Sequence, residues 1–99
     1  MNITIQSVHF DAAEPLTQFV NQKVSKLAHF YDAILGAEVI LNLEKAEAIE
    51  NKIAEISIKI SGETLFAKKQ ANTFEEATDL ACEALRKQLQ KVKEKASGK

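Results

Sequence analysis

Basic side chains are concentrated at the end of this 99-residue chain, where they could bind the phosphates of a polyanion. Residues 86–99 contain six bases and one acid, a balance of +5, which leaves −6 for the remainder because the whole chain carries −1. Lys87, Lys91 and Lys95 repeat every four residues and would form one ridge on a helix. A polyanion such as RNA responds to this local field and not to the mean charge. The spacing therefore indicates phosphate binding.

A local structural explanation competes with this interpretation. The residues that precede the bases are acidic over one stretch and comprise Glu75, Glu76, Asp79 and Glu83. Acids in the first turns of a helix and bases in the last turns complement its macrodipole, at about 0.3 to 1 kcal/mol per well-placed charge. Dipole matching would account for about two or three bases, and this helix has six at its end.

Further bases lie outside the last helix. Lys23 and Lys26 are one turn apart on a predicted first helix, and Lys68 lies near the end of a predicted strand. If the two helices are neighbours, their polar faces form one surface along which a phosphate backbone could run, as in shape-based recognition of double-helical RNA. A solvated lysine face kept for solubility is equally compatible with the composition. The candidate RNA-binding residues are Lys23, Lys26, Lys68, Arg86, Lys87, Lys91, Lys93 and Lys95.

The first half of the chain predicts a strand and then an amphipathic helix. Apolar and polar residues alternate over residues 1–8, with Ile3 and Ile5 on one face. From about Glu14 the apolar period becomes three to four, which predicts a helix with one face in the core. A start near Ala13 suits Pro15. The helix is expected to fray over residues 31–35 and to stop at Gly36.

The second half predicts three strands and a second helix. Alternation predicts strands over 37–44, from about Ala54 to Ile60 and over 63–70, with a turn at 61–62. The connection 45–51 has no turn dipeptide, so its length stays open. Thr73 and Glu76 form a capping box before a helix that runs to about Lys95, and residues 96–99 are expected to be a flexible tail.

The element order predicts an α+β fold, β-α-β-β-β-α, with a four-stranded mixed sheet and both helices on one face. The strands alternate, so the other face should meet solvent, and it would carry mainly polar residues apart from Ile40 and Phe66. One exposed aromatic residue argues against single-strand binding by base stacking. The alternative function is a protein-interaction module that docks a partner through this open face or through the acidic stretch Glu38 to Glu55.

Composition and motifs argue against several other classes of protein. We find no phosphate-cradling glycine loop, no metal-ligand spacing around His9 and His29, and no nucleophile with a plausible base, so we expect neither an enzyme nor a cofactor. Cys82 is the single cysteine and fits a small buried position. No apolar run could span a bilayer, and we expect a single cytoplasmic domain over residues 1–99 without membrane partners.

Several motifs occur in an order that resembles a known family. They are the opening strand Asn2-Ile-Thr-Ile5, the run Leu16-Thr-Gln-Phe-Val20 followed by Lys23 and Lys26-Leu27, the strand Val39-Ile-Leu41 with Glu44-Lys45, and Ala77-Thr-Asp79 leading to Lys87-Gln-Leu-Gln-Lys91, Lys93 and Lys95. Over nearly its whole length the chain resembles the short-form ribosome hibernation promoting factors, a group that includes ribosome-associated inhibitor A and belongs to the sigma-54 modulation protein family. The layout is also similar to that of double-stranded-RNA-binding domains.

The resemblance implies a non-catalytic stress or stationary-phase protein. Such a protein binds the small ribosomal subunit and its rRNA in the channel for messenger and transfer RNA, and thereby inhibits translation. By similarity, the bases on both helices would contact ribosomal RNA, whereas Arg86 and Lys68 are candidates from their charge alone. The dimerisation domain of the long forms is absent from this sequence, so ribosome pairing would need a second factor.

Overall fold

Four strands and two helices make up the computed structural model, which describes residues 2–44 and 49–97. The elements are β1 (Asn2–Val8), α1 (Glu14–Phe30), β2 (Ile34–Leu43), β3 (Lys52–Ile60), β4 (Glu63–Ala71) and α2 (Phe74–Ser97). The strands form one sheet in the order β1-β2-β3-β4. β1 is parallel to β2, and the β2–β3 and β3–β4 pairs are antiparallel. The predicted order and mixed sheet are therefore confirmed.

The core lies between one face of the sheet and the two helices. Across the sheet, Val39 pairs with Ile56 and Ala37 pairs with Ile58, and these side chains point toward the helices. Leu85 of α2 and Val24 of α1 pack on them and are fully buried. The alternating strands and the apolar helix stripes thus bury their apolar sides against each other, as predicted.

The start of α2, the β3–β4 turn and the connection before α1 are each stabilised or shaped by particular residues. The Thr73 hydroxyl accepts a hydrogen bond from the backbone N–H of Glu76 at 3.0 Å, which confirms the predicted N-cap. Gly62 has a φ of +88° in the β3–β4 turn, where a side chain would be strained. Before α1, Phe10 stacks on Phe74 with ring centroids 4.5 Å apart, which fastens this connection to the start of α2.

The predicted end of α1 is wrong. The helix begins as expected after Ala13, with Pro15 in its first turn, but it ends at Phe30 and not near Gly36. β2 already begins at Ile34, which pairs with Ile60, and the register shifts between Ile34 and Gly36. Gly36 is a strand residue that pairs with Asn2, and a Cβ there would approach the Asn2 carbonyl oxygen to 3.4 Å. The pairing of this segment with both β1 and β3 outweighs the helical spacing of apolar residues, which continues to Ile34.

The β2–β3 connection is described only at its two ends. β2 ends at Leu43, one residue before the predicted limit, and the backbone N–H of Glu44 donates to the Asn51 carbonyl at 2.9 Å. Residues 45–48 of the predicted loop lie outside the described residues. Ile53 belongs to the open face of β3, yet it is only 2% exposed, so this end of the face is covered.

α2 continues to Ser97, two residues past the predicted limit. The helix therefore includes Ala96 and Ser97 from the predicted tail, and residues 98–99 lie outside the described residues. In the described part of the chain, neither helix is long and apolar enough to cross a membrane.

Candidate nucleic-acid interface

One side of α2 faces α1 and is marked by residues seven apart. Asp79, Arg86 and Lys93 lie on the same side because seven residues make about two turns. Asp79 forms an ion pair with Lys23 of α1, with 3.1 Å between the carboxylate oxygen and the ammonium nitrogen. Arg86 and Lys93 lie over the ring of Phe30, at 5.9 and 4.7 Å from its centroid. We call the space between α1 and α2 beside these residues the interhelical groove. The side of α2 that carries Asp79, Arg86 and Lys93 is called the groove flank.

Lys93 also fastens the end of α1 to α2. Its ammonium group donates a hydrogen bond to the carbonyl oxygen of Phe30, the last residue of α1, at 3.3 Å. The last carbonyls of a helix have no partner inside the helix and lie at the negative end of its dipole, where a cation is favourable. The positive charge of Lys93 is therefore already engaged within the molecule.

The opposite side of α2 carries the predicted lysine ridge. Gln88 donates from its side-chain amide to the Phe66 carbonyl oxygen of edge strand β4 at 3.0 Å, so this side faces β4. Lys91 and Lys95 follow Gln88 by three and seven residues and lie on its side of the helix, and Lys87 leads the ridge. All three lysines are exposed, and none forms an ion pair with another described residue. We call Lys87, Lys91 and Lys95 the outer flank.

On α1, the two predicted lysines have different surroundings. Lys23 is half-buried, pairs with Asp79, and lies 5.5 Å from the centroid of the Phe19 ring. Lys26 is exposed one turn later, at the border of a shallow depression that His29 also lines. Lys23 contacts Asp79, and further along both helices Phe30 contacts Arg86 and Lys93. The two helices therefore run parallel.

Lys68 lies on the other face of the sheet. It pairs across the strands with Glu55 of β3, and both residues point away from the helices. The structure therefore brings Lys23, Arg86 and Lys93 together in the interhelical groove and places Lys26 beside them. It places Lys87, Lys91 and Lys95 on the outer flank, and it does not bring Lys68 to either group.

The sequence interpretation missed the partners of the basic residues. The apolar spacing of α1 does not show that the Phe30 ring lies beneath Arg86 and Lys93, and the charge pattern of α2 does not show that Asp79 pairs with Lys23. The seven-residue spacing of Asp79, Arg86 and Lys93 is the signal that could have separated these residues from the ridge.

Cys82 is next to this groove and remains a thiol at neutral pH. Burial, with a smaller contribution from the charge of Asp79, raises the pKa of the Cys82 thiol to about 11, against the opposing effect of Lys23. Among residues 2–44 and 49–97, no group of three histidine, cysteine or acidic side chains could hold a metal ion.

The fold and the basic helices together define a class: a small α+β domain with two parallel helices on one face of a mixed sheet and an exposed lysine ridge along one helix. A family model described as Sigma 54 modulation protein / S30EA ribosomal protein matches residues 3–97. The chain belongs to this family, which confirms the resemblance inferred from the motifs.

Curated relatives agree with this assignment. The chain is 32% identical over 95 residues to a ribosome hibernation promoting factor from Azotobacter vinelandii, covering 96% of this chain and 85% of the relative. A ribosome hibernation promotion factor from Bacillus subtilis is 28% identical over 99 residues, which cover 100% of this chain and 52% of the relative.

The fold matches two solved structures. A ribosomal subunit interface protein from Coxiella burnetii superposes with a TM-score of 0.83 at 24% identity, covering 94% of this chain and 98% of that chain. The N-terminal domain of Protein Y from Thermus thermophilus gives a TM-score of 0.78 at 24% identity, covering 93% and 99%. At these identities the similarity establishes the fold alone.

Proposed function

We propose that this chain is a non-catalytic hibernation factor that binds the small ribosomal subunit and inhibits translation. Its membership of the family and the names of its curated relatives support ribosome binding. The single structural observation that carries the proposal is the outer flank, three exposed lysines without an acidic partner among the described residues, in a chain whose net charge is −1.

The physical basis is phosphate neutralisation by a preformed ridge. Three ammonium groups at four-residue spacing on one helix side can follow a phosphate backbone without any conformational change. A rigid domain bound in this way in the channel for messenger and transfer RNA excludes both by occupying their volume. This mechanism needs no catalytic group and no cofactor.

The residues proposed to contact rRNA are the eight that the sequence analysis predicts. Their surroundings in the structure suggest different roles for them. Lys26, Lys87, Lys91 and Lys95 would bind phosphates directly because their charges are exposed and contact no aromatic ring or carboxylate among the described residues. Lys23, Arg86 and Lys93 would first support the helix pair through Asp79 and Phe30, and would add their charge to the field that attracts RNA. Lys68 would contact RNA on the opposite face, which a channel that surrounds the domain can provide.

The wider biological assignments rest on the family. We infer that residues 1–99 form one ribosome-binding domain of a cytoplasmic protein that acts in stress or stationary phase, and that a second factor takes part if ribosomes are paired. An alternative, a protein-interaction module on the open sheet face, is favoured by one observation: Leu35 and Phe66 are 60% and 50% exposed there.

Sedimentation with purified small subunits, with and without bound transfer RNA, tests the proposal. We expect co-sedimentation that transfer RNA prevents. If about six phosphates are contacted, the logarithm of the affinity should fall with the logarithm of salt at a slope of roughly −4 to −5. Absence of binding at low salt, or binding that neither salt nor transfer RNA changes, would contradict the proposal and favour the open-face alternative.

A further inference from the structure

Two neighbouring lysines of the edge strand β4 lie on opposite faces of the sheet. Lys68 pairs with Glu55 on the open face, whereas Lys69 pairs with Ala54, which is fully buried beneath the helices. Successive side chains of a strand point to opposite faces, so Lys69 points toward the helix side. It is exposed there and forms no ion pair with another described residue. Lys69 is therefore an available positive charge that the predicted RNA-binding set does not include.

Lys69 lies beside the outer side of α2, ahead of the lysine ridge. α2 follows β4 after the connection 72–73, and further along the helix Gln88 binds the Phe66 carbonyl oxygen, so α2 runs antiparallel to β4. Lys69 is three residues from Phe66, about 10 Å nearer the start of α2. This distance corresponds to about two helical turns before Gln88. Lys69 and the outer flank therefore form one row along the cleft between α2 and β4, which we call the edge row.

The solvent-facing crest of α2 carries acids. A step of four residues turns about 40° around a helix, so Glu83 lies between Asp79 of the groove flank and Lys87 of the outer flank. Glu76 and Glu94 are separated from Glu83 by about two and three whole turns and lie on the same line. All three glutamates are exposed. A phosphate backbone that binds the outer flank is therefore repelled from crossing α2 toward α1.

The side of α2 that faces β4 lacks such acids among the described residues. Its members between Leu80 and Lys95 are apolar, amide or basic. On the helix side of β4 the one acid is Glu63, which lies at the opposite end of the strand from Lys69. A polyanion beside Lys69 therefore meets positive charge without a neighbouring carboxylate from this side of α2 or from the adjacent part of β4.

We propose that Lys69 binds a phosphate of the same RNA backbone that the outer flank binds, so that this backbone follows the cleft between α2 and β4. Lys69 extends the row by about 10 Å beyond Lys87. Lys26 lies on the other side of the acidic crest and would contact a separate stretch of RNA. The inference rests on the proposed function, because it names the path of the RNA that is bound there.

The test measures the affinity of purified small subunits for three variants at several salt concentrations. Lys69→Gln removes one phosphate contact, so affinity should fall about three- to tenfold at low salt and the salt slope should decrease by about 1. Lys69→Arg keeps the charge and should retain binding. Lys59→Gln removes an exposed lysine of the open face and should leave binding unchanged. Urea denaturation should give the same stability for all three variants.

Amine-reactive labelling of the original chain tests the contact without a substitution. Mass spectrometry should show that bound small subunits protect Lys69 and Lys91 together. Labelling of Lys69 that continues while Lys91 is protected overturns the inference. Equal losses of affinity in Lys69→Gln and Lys59→Gln, or no loss in Lys69→Gln, overturn it as well and leave the proposed function intact. An original chain that does not bind small subunits at low salt overturns both.

Discussion

The two sides of α2 carry bases in different surroundings. On the groove flank, Lys93 binds the Phe30 ring and carbonyl, and Arg86 lies over the same ring. On the outer flank, Lys87, Lys91 and Lys95 are exposed without an ion-pair partner among the described residues. The basic end of α2 is therefore not one binding surface. One side uses charge to hold two helices together, and the other leaves its charge available to a ligand.

The largest effect is expected from reversing the outer flank. In the variant Lys87→Glu, Lys91→Glu, Lys95→Glu, three phosphate contacts become repulsions, and small-subunit binding should weaken by more than about 100-fold. The free energy of unfolding should change little because these side chains support no described tertiary contact. Co-sedimentation and urea denaturation measure the two quantities.

Lys59→Glu on the open sheet face is the control for this variant. It makes the same charge change as each single reversal at another exposed position. If Lys91→Glu and Lys59→Glu reduce binding equally, the overall charge governs binding and the outer flank has no special role.

A second, smaller effect should separate the two flanks directly. Lys93→Ala removes the hydrogen bond to the Phe30 carbonyl and the contact with its ring, and should lower the free energy of unfolding by about 1 kcal/mol. Lys95→Ala makes the same substitution two residues further along and should leave stability unchanged while reducing ribosome affinity by severalfold.

Urea denaturation measures the stability of these two variants, and binding at several salt concentrations measures their ribosome affinity. The binding slope against salt should fall by about 1 for Lys95→Ala. Equal stability losses in both variants would show that the groove contacts of Lys93 do not hold the helices together.

The smallest effect is expected at the ion pair between the helices. Lys23 and Asp79 are 34% and 51% exposed, so solvent screens their attraction, and Asp79→Asn should cost less than about 0.5 kcal/mol of stability. The substitution also frees Lys23 for phosphate, so binding should tighten about two- to threefold.

Glu83→Gln is the matched control for that ion pair. It removes one acid from an exposed position one turn further along α2, without an ion pair to another described residue. If both variants tighten binding equally in a filter-binding assay, the field of the helix explains the gain and the release of Lys23 does not.

Most of the fold was predictable because its signals are local. The strand alternation, the Thr73 cap and the start of α1 before Pro15 all act within a few residues, and the structure has them as predicted. The end of α1 was not predictable from its period. Ile34 continues the helical spacing, but it pairs with Ile60 in β3, a contact made 26 residues away.

The candidate site was predictable in its residues but not in its arrangement. Counting charges finds every base, and a four-residue spacing finds the ridge of Lys87, Lys91 and Lys95. Which side of α2 faces α1 depends on packing across the sheet, because Gln88 must reach β4 and Lys93 must reach Phe30. The sequence contains the seven-residue spacing of Asp79, Arg86 and Lys93. It does not show that α1 is the element that these residues contact.

The ridge also affects the helix that carries it. Lys87, Lys91 and Lys95 repel each other along one side of α2, by about 0.2 to 0.5 kcal/mol per neighbouring pair. Lys95 lies beyond the contact of Lys93 with Phe30 and forms no ion pair with another described residue that could offset this repulsion. The backbone amides around Lys91 and Lys95 should therefore exchange hydrogen quickly in the isolated protein. Bound phosphates would remove the repulsion and slow that exchange, so the ligand would complete the helix that binds it.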